Sequence, residues 1–326
     1  MTKLGYQIPN FTYDGVGPAD LFGVVAGQAA AADRSGFDTV LLMDHLYQLP
    51  LLGPPDAYML ESYTTLGALA RQTSSVRLGA LVTGNTYRNP ALLAKILTTL
   101  DIVSGGRAQL GIGAGWFELE HQSLGFEFGT FTDRFEKLEE ALQIILPMLR
   151  GERPTLNGKH YSVEGAINQP PPISRIPVMI GGAGEKKTLR LVAAYADESN
   201  LTSPVAEIGR KLDALAAHCE RLGRDRSEIK VSQQLNVCIA DTHDEAYGAM
   251  ATFLRARGLD LDTVDKDTAD QILAMIVWGD PDEVGTQLTA VLEHGVDGFT
   301  CSLPANGFDP DKVELLGRTA SKVLGL

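Results

Sequence analysis

Short apolar runs, each as long as a buried strand, alternate along this chain with longer segments whose apolar residues recur at helical spacing. Eight such runs predict strands, at residues 4–8, 39–43, 76–82, 108–112, 177–180, 198–201, 230–240 and 298–302. The segments between and after them predict helices, at residues 19–35, 62–72, 90–104, 131–150, 186–196, 205–222 and 309–323, with further helical segments after residue 240. This alternation is typical of a parallel sheet, because parallel neighbours need a long crossover that is usually helical.

Eight strand–helix units, with no change of composition between them, predict an α/β fold in which the sheet closes into a (β/α)8 TIM barrel. The alternative is an open, doubly wound sheet, which is expected to carry a Gly-x-Gly-x-x-Gly turn after its first strand. The first predicted strand is instead followed by Pro9-Asn10, so the barrel is preferred. We expect the barrel to form a single domain over residues 1–326.

The length of the chain predicts inserted loops, because a barrel of this type needs only about 250 residues. Long connections occur near residues 44–61, 113–130, 151–175 and 259–267. The first two follow the carboxyl ends of predicted strands. Barrel enzymes carry their active sites on that face, so these loops are expected to border the site.

Charge and composition exclude several classes of function. The 41 acidic and 28 basic residues give a net charge of −13, which argues against binding to nucleic acid or to an anionic membrane surface. No apolar run reaches the ~18 residues of a membrane span. Cys219, Cys238 and Cys301 lie far apart without metal-ligand spacing, so we expect reduced thiols, no bound metal and a cytoplasmic location. A small-molecule substrate fits these observations.

The second predicted strand ends in Met43-Asp44-His45, on the face where barrel chemistry takes place. A histidine can transfer protons near neutral pH, and a neighbouring carboxylate can fix the orientation of its ring. The alternative interpretation is structural, with Asp44 capping the loop and His45 packed beneath it. The sequence alone leaves both interpretations open.

Glycines cluster where the third, fourth and fifth predicted strands end, at positions 79, 84, 111, 113, 115, 181, 182 and 184. Bare backbone there would let a planar ring approach closely, although tight turns explain glycines equally well. The glycines after the fifth predicted strand lead into a predicted helix start, whose free amides can bind phosphate. Lys186 and Lys187 add positive charge there. Trp116, after the fourth cluster, would either stack on a ring or cover the barrel mouth.

Together, these strand-end residues resemble the luciferase-like monooxygenase superfamily, and more narrowly its actinobacterial branch that uses the deazaflavin coenzyme F420. The matching segments are residues 4–9, 32–38, 43–45, 86–91, 101–107, 111–116 and 180–184. The run Ser104-Gly105-Gly106-Arg107 before a glycine-rich strand is quite specific to the superfamily. The resemblance implies a luciferase-like barrel that binds coenzyme F420, with FMN as the alternative cofactor.

The resemblance also implies how the cofactor is held, with its ring in the barrel mouth over the third strand. The residues that it assigns to the cofactor are Asp44, Ala80, Leu81, Thr83, Ala114, Gly115, Gly182, Ala183 and Gly184. The last three are expected to bind the phosphate through backbone amides. The bond between Ala80 and Leu81 matches the position of a non-prolyl cis peptide that bulges against the ring.

His45 matches the active-site histidine of the sugar-phosphate dehydrogenases in this group, where it is linked to proton transfer while hydride moves. The chain departs from that subgroup at three positions. Where the subgroup has its active-site acid, this chain has Trp116, and where the subgroup has a tryptophan, this chain has Leu49. The subgroup's phosphate-binding lysine corresponds to a position near Val205, although Thr202 is kept. The resemblance therefore predicts a substrate other than glucose 6-phosphate.

The missing acid leaves two alternatives: either His45 works alone, or Glu118 or Glu120 takes its place. The substrate pocket is expected to include Trp116, Glu118 and Thr202.

The function implied is a coenzyme F420-dependent oxidoreductase that transfers hydride between the deazaflavin and a small organic substrate. In this function His45 is expected to donate or accept the proton. The first alternative is an FMN-dependent luciferase-like monooxygenase. The second alternative is a protein that binds the cofactor without turnover. A homodimer is also expected, because superfamily members commonly dimerise and the segments 62–72 and 90–100 are apolar enough to pack against a second copy.

Overall fold

The computed structural model describes residues 3–326, and strands and helices alternate along that range. Within it the twelve strands are β1 (Leu4–Ile8), β2 (Thr39–Leu42), β3 (Arg77–Ala80), β4 (Thr83–Gly84), β5 (Leu110–Gly113), β6 (Leu156–Asn157), β7 (Ser162–Val163), β8 (Val178–Gly181), β9 (Glu198–Leu201), β10 (Lys230–Ile239), β11 (Val277–Gly279) and β12 (Gly298–Ser302). Eleven α-helices occupy the same range: α1 (Leu21–Arg34), α2 (Ser62–Leu69), α3 (Pro90–Ser104), α4 (Glu118–Leu124), α5 (Phe131–Leu149), α6 (Thr188–Tyr195), α7 (Ile208–Leu222), α8 (His243–Arg255), α9 (Lys266–Leu273), α10 (Pro281–Leu292) and α11 (Pro310–Leu324).

The large sheet is parallel and closes on itself. Its strands follow the order β3-β2-β1-β12-β10-β9-β8-β5-β4. β3 and β4 are two parts of one barrel strand, interrupted at Leu81 and Val82, so that β3 pairs with β2 and β4 pairs with β5. A parallel bridge between Leu78 and Ala108 completes the ring. The predicted (β/α)8 barrel is confirmed, and the open doubly wound sheet is wrong because both edges of the sheet are paired.

Local sequence signals explain where the helices begin and end. α3 is an example, because the Asn89 side chain accepts hydrogen bonds from the amides of Ala91 and Leu92, and Pro90 occupies the first helical position. Gly105 ends the same helix in the left-handed region at φ 73°, which favours glycine. Leu93 and Leu97 on this helix are buried in the hydrophobic core between the helices and the barrel strands.

The long connections contain structure that periodicity did not predict. The 113–130 segment holds the short helix α4, and the 151–175 segment holds the antiparallel β6–β7 hairpin. β11 is an additional strand that pairs in parallel with β10. The 44–61 segment contains neither helix nor strand and lies beside the carboxyl end of β2. No helix in residues 3–326 combines the length and the apolar character needed to cross a bilayer.

Candidate active site

A cavity of about 680 Å³ opens at the carboxyl ends of the barrel strands. All eight barrel strands contribute to its lining, through Gln7, Met43, Asp44, His45, Leu81, Val82, Thr83, Gly84, Gly115, Gly181, Gly182, Asn200, Thr202, Gln234, Asn236 and Ser302 among others. The inserted segments supply the rest of the wall, with residues 49–52 on one side and Trp116 and Phe117 on the other. The residues predicted to form the site thus meet at one face because parallel strands end there together.

His45 lies in the cavity wall directly after β2, and a buried carboxylate holds its ring. Nδ1 of His45 lies 2.7 Å from Oε1 of Glu120, which belongs to α4 and is 0% exposed. Nε2 of His45 has no hydrogen-bond partner in residues 3–326. Of the two candidate acids, the structure therefore places Glu120 against the histidine. Glu118 lies on the exposed face of α4, where it accepts a hydrogen bond from Gln122, and it does not line the cavity.

Glu120 is an ionised acceptor. Its Oε2 accepts hydrogen bonds from the amides of Leu46, at 2.7 Å, and Tyr47, at 3.2 Å, and its Oε1 also accepts the Tyr87 hydroxyl. Burial raises the pKa of Glu120, but the bonds from His45, Tyr87 and Leu46 outweigh it and hold that pKa below its ordinary 4.5. A carboxylate can only accept, so we assign the ring proton of neutral His45 to Nδ1. Nε2 is then the ring nitrogen with an available lone pair, on a side chain that lines the cavity.

Asp44 also lines the cavity, but its two oxygens are already engaged. Arg88 donates to both of them, at 2.6 and 2.8 Å, and also donates to Glu61 at 2.5 Å. Ser62 donates to Oδ1 at 2.6 Å, and the Gly84 amide donates to Oδ2 at 2.9 Å. Asp44 thus ties the start of α2 to β4. The structure gives this residue a supporting role beside the cavity in addition to any contact with a bound ring.

The interruption at Leu81 and Val82 enters the cavity and explains several glycines. The cis peptide bond lies between Leu81 and Val82, so the predicted position at Ala80-Leu81 is wrong by one residue. A Cβ at Gly113 would lie 2.8 Å from Val82 Cγ2, and one at Gly181 would lie 2.7 Å from Val82 Cγ1. These two glycines make room for the chain's own third barrel strand. Gly113 and Gly181 therefore make room for Val82, whereas their positions in the sequence predict room for a planar ring.

Amide side chains on the cavity floor hold the same interruption from below. Gln7 Nε2 donates to the Leu81 carbonyl at 3.0 Å. Gln7 Oε1 accepts from Gln234 Nε2 and from the Ser302 hydroxyl, each at 2.8 Å. The Leu81 carbonyl can only accept, which fixes the direction of every amide in this chain of bonds. These residues were not singled out from the sequence, because their partners come from β1, β10 and β12.

The glycine-rich segment after β8 keeps only part of its predicted role. The Gly182 amide donates to the Asn200 carbonyl at 2.9 Å, so it is not free for a phosphate. The amides of Ala183 and Gly184 donate to no acceptor in residues 3–326. Helix α6 begins at Thr188, two residues later than predicted, and Lys187 bonds to Thr132 at 3.2 Å across its start.

The remaining predicted site residues are distributed as follows. Thr202 and Trp116 line the cavity, and Trp116 is 60% exposed at its mouth. Thr83 lines it as well and shares a hydrogen bond of 2.6 Å with the hydroxyl of Tyr63. Ala80 is buried in β3, and Ala114 is packed against the core. Neither of the two alanines faces the cavity.

A cluster of potential metal ligands lies outside this cavity. Asp133, Glu136 and His160 approach one another where α5 meets the β6–β7 hairpin. Lys159 already pairs with the two carboxylates, at 3.2 and 2.8 Å. The cluster is therefore a surface ion-pair network, in which the lysine ammonium supplies the positive charge.

Comparison with known proteins gives one consistent result. F420-dependent glucose-6-phosphate dehydrogenase of Microbacterium testaceum is 33% identical over 250 residues, covering 75% of this chain and 70% of that protein. The 5,10-methylenetetrahydromethanopterin reductase of Archaeoglobus fulgidus is 25% identical over 325 residues, covering 88% and 91%. The solved structure of coenzyme F420 dependent tetrahydromethanopterin reductase from Methanopyrus kandleri superposes with a TM-score of 0.76, at 20% identity and with 98% and 99% coverage. The family profile of luciferase-like monooxygenases matches residues 3–298, and this chain belongs to that family.

Proposed function

We propose that this protein is a coenzyme F420-dependent oxidoreductase that transfers hydride between the deazaflavin and a small organic substrate. The observation that carries the proposal is His45, a lining residue of the cavity whose Nδ1 is held by Glu120 while its Nε2 has no partner in residues 3–326. The names of its relatives support the cofactor, because the similar proteins from Microbacterium and Archaeoglobus are an F420-dependent dehydrogenase and a reductase.

The residues of the cavity fit such a cofactor. A volume of about 680 Å³ lies within the range of small-molecule and cofactor sites. The interruption at Leu81 and Val82 offers backbone and a small apolar surface to a ring, and Trp116 offers an exposed indole. The backbone N–H groups of Ala183 and Gly184 have no acceptor in residues 3–326 and can donate hydrogen bonds to a phosphate. We propose these residues, with Thr83 and Gly115, as cofactor contacts.

The chemistry divides between the cofactor and the chain. When bound, coenzyme F420 supplies a ring carbon that accepts or gives a hydride. His45 holds or moves the matching proton at Nε2, because its Nδ1 proton is committed to Glu120. The Glu120 carboxylate accepts from Nδ1 and so fixes the ring orientation in which Nε2 exchanges a proton. Tyr87 keeps Glu120 in place, and burial together with that hydrogen bond raises the pKa of the Tyr87 phenol well above its ordinary value.

Parallel calorimetric titrations of the apo protein with coenzyme F420, FMN and NADPH test the cofactor. We expect binding of coenzyme F420 to be at least tenfold tighter than binding of either other compound. FMN as the tightest ligand, with oxygen uptake on turnover, would instead support a monooxygenase. His45→Ala is expected to keep the dissociation constant of the cofactor within about twofold and to lose turnover. Full turnover by that variant would contradict the proton-transfer role.

We also propose a homodimer that forms through the outer faces of α2 and α3. The support is a shallow groove between these helices, bordered by Tyr63, Gly67, Ile96 and Val103, and the exposed apolar side chains of Leu92, Ile102 and Val103 on α3. Sedimentation equilibrium is expected to give twice the 35.0 kDa mass of the chain. A monomer at micromolar concentration would contradict the proposed dimer.

We also propose a cytoplasmic location. Cys219, Cys238 and Cys301 are free and buried, which supports it.

A further inference from the structure

We propose that Arg257, just beyond the end of α8, is a positioning residue that holds one wall of the His45 cavity in place. The wall in question is formed by residues 48–57, called the wall loop below, which contribute four residues to the cavity lining: Leu49, Pro50, Leu51 and Leu52. This inference rests on the proposed function, because that cavity is the proposed active site. It gives a role to a side chain 205 positions away from the loop that it holds.

The wall loop has little packing of its own to keep it in position. Half of its residues are exposed, and Leu51 at its tip is 86% exposed. The amides of Leu52 and Gly53 donate to the Leu49 carbonyl, at 2.8 and 3.0 Å, and so close the turn at the tip. These bonds give the loop its shape, but they do not attach it to the rest of the protein.

Arg257 supplies the attachment. Its Nε and one terminal nitrogen donate to the Leu52 carbonyl, at 3.1 and 2.6 Å. Within residues 3–326, these are the only hydrogen bonds that join the wall loop to a residue outside it. The chain is anchored again on either side of the loop, through the amides of Tyr47 and Tyr58. The tip between these anchors therefore depends on Arg257.

Arg257 is itself held firmly. α8 ends in a turn that the Leu259 amide closes by donating to the Leu254 carbonyl at 3.1 Å, with Gly258 in the left-handed region at φ 80°. The second terminal nitrogen of Arg257 donates to the Phe253 carbonyl at 2.8 Å, and its Cζ lies 3.5 Å from the centroid of the Phe253 ring. All three guanidinium nitrogens are thus engaged, and the side chain is fixed on the end of the helix.

The charge of Arg257 is directed at backbone carbonyls. No carboxylate of the described residues pairs with it, and burial lowers the pKa of its guanidinium, which nevertheless stays protonated near neutral pH. Hydrogen bonds from a charged donor are roughly twice as strong as neutral ones. Two such bonds on the single Leu52 carbonyl make a strong attachment for an exposed loop tip.

The attachment bears on the chemistry because it limits the access of water to the cavity. The His45 side chain is only 15% exposed, and the wall loop closes one side of the cavity that it lines. Exclusion of water strengthens the electrostatic interactions inside an active site and prevents proton leakage. Release of the loop tip would open that side of the cavity and expose His45.

Hydrogen exchange of the protein without cofactor tests the attachment directly. Arg257→Met keeps an apolar contact with Phe253 and removes the donors. We expect the amides of the wall loop to exchange at least tenfold faster, because bonds from a charged donor contribute about 10- to 150-fold to a local opening equilibrium. Arg257→Lys can restore one bond to the Leu52 carbonyl, and we expect exchange at most about threefold faster than in wild type.

The matched control is Arg255→Met. Arg255 is an exposed arginine at the end of the same helix, and it pairs with Asp260 and Asp262, which lie outside the wall loop. We expect this variant to leave exchange in the wall loop unchanged.

Acylation by diethyl pyrocarbonate reports how accessible His45 is, because the reagent attacks an unprotonated imidazole nitrogen. Peptide mass spectrometry gives the ratio of modification at His45 to that at His294, an exposed histidine after α10. We expect this ratio to rise at least about threefold in Arg257→Met and to return toward wild type in Arg257→Lys. The dissociation constant of coenzyme F420 is expected to stay within about twofold, because Arg257 does not line the cavity.

Two outcomes overturn the inference. One is unchanged exchange in the wall loop of Arg257→Met. The other is faster exchange throughout the chain with a lowered melting temperature, which would assign Arg257 to global stability and not to this wall. Both are measured without cofactor, so they decide the inference separately from the proposed function. Failure of coenzyme F420 to bind to the wild-type protein defeats the proposed function itself.

Discussion

Glu120→Gln tests how the structure sets the proton on His45, because it keeps the shape of the side chain and removes its charge. The amides of Leu46 and Tyr47 can only donate, so the glutamine oxygen must face them and its NH2 group must face His45. His45 Nδ1 then becomes an acceptor, and the ring proton moves to Nε2. An imidazole with its proton on Nε2 cannot accept a proton from the substrate at that atom.

The expected loss is the contribution of general base catalysis, about 10²–10⁴-fold in kcat. A single-turnover measurement of cofactor reduction at a saturating concentration of an oxidisable substrate reports this step. The dissociation constant of coenzyme F420 is expected to stay within about twofold, because Glu120 does not line the cavity. Glu118→Gln, on the exposed face of the same helix, is the matched control and is expected to retain wild-type kcat. A kcat for Glu120→Gln within threefold of wild type refutes the assignment.

The same variant has a stability signature with a defined sign. The pKa of Glu120 in the folded protein is below the ordinary 4.5, so the carboxylate stabilises the fold above about pH 4.5. That contribution is lost as the pH falls through the lowered folded pKa. We expect Glu120→Gln to lower the free energy of unfolding by about 1–3 kcal/mol at pH 7. The difference from wild type should shrink in acid, as measured by urea unfolding at several pH values.

Further variants test the surroundings of the cavity. Arg88→Met leaves Asp44 buried without its cation and is expected to cost about 3–5 kcal/mol in urea unfolding, with partial recovery in the double variant with Asp44→Asn. Gly113→Ala is expected to weaken cofactor binding at least tenfold in calorimetry, because its Cβ would meet Val82 at 2.8 Å and displace the strand interruption. Gly248→Ala, in α8 with open space around it, is the matched glycine control and is expected to raise stability by about 0.5–1 kcal/mol with unchanged binding.

Much of the fold and part of the site followed from the sequence because both depend on local patterns. Strands and helices are encoded by short apolar runs and by helical periodicity, and both patterns can be recognised within a short stretch of sequence. Once these predict a parallel barrel, the residues after each strand must meet at one face. His45, Thr202 and Trp116 could therefore be assigned to the cavity without a structure. The resemblance of short strand-end motifs to those of luciferase-like monooxygenases also predicted the family.

The side-chain partners could not be predicted, because they join residues far apart in sequence. His45 and Glu120 are separated by 75 positions, and Asp44 and Arg88 by 44. Helical phase alone did not decide between Glu118 and Glu120, since the choice depends on which face of α4 lies against the barrel.

The glycines show where the boundary lies between the two kinds of information. Their clustering at strand ends was plain in the sequence and marked a place where the backbone must come close to something. The sequence by itself determined the barrel, the face that carries the site and the strand ends from which the site is built. Only the tertiary structure decided that Gly113 and Gly181 accommodate Val82. It also decided that Glu120, and not Glu118, holds the histidine. The physical reason is that periodicity records which side of an element is buried, whereas a hydrogen bond or a close contact depends on which other element arrives there.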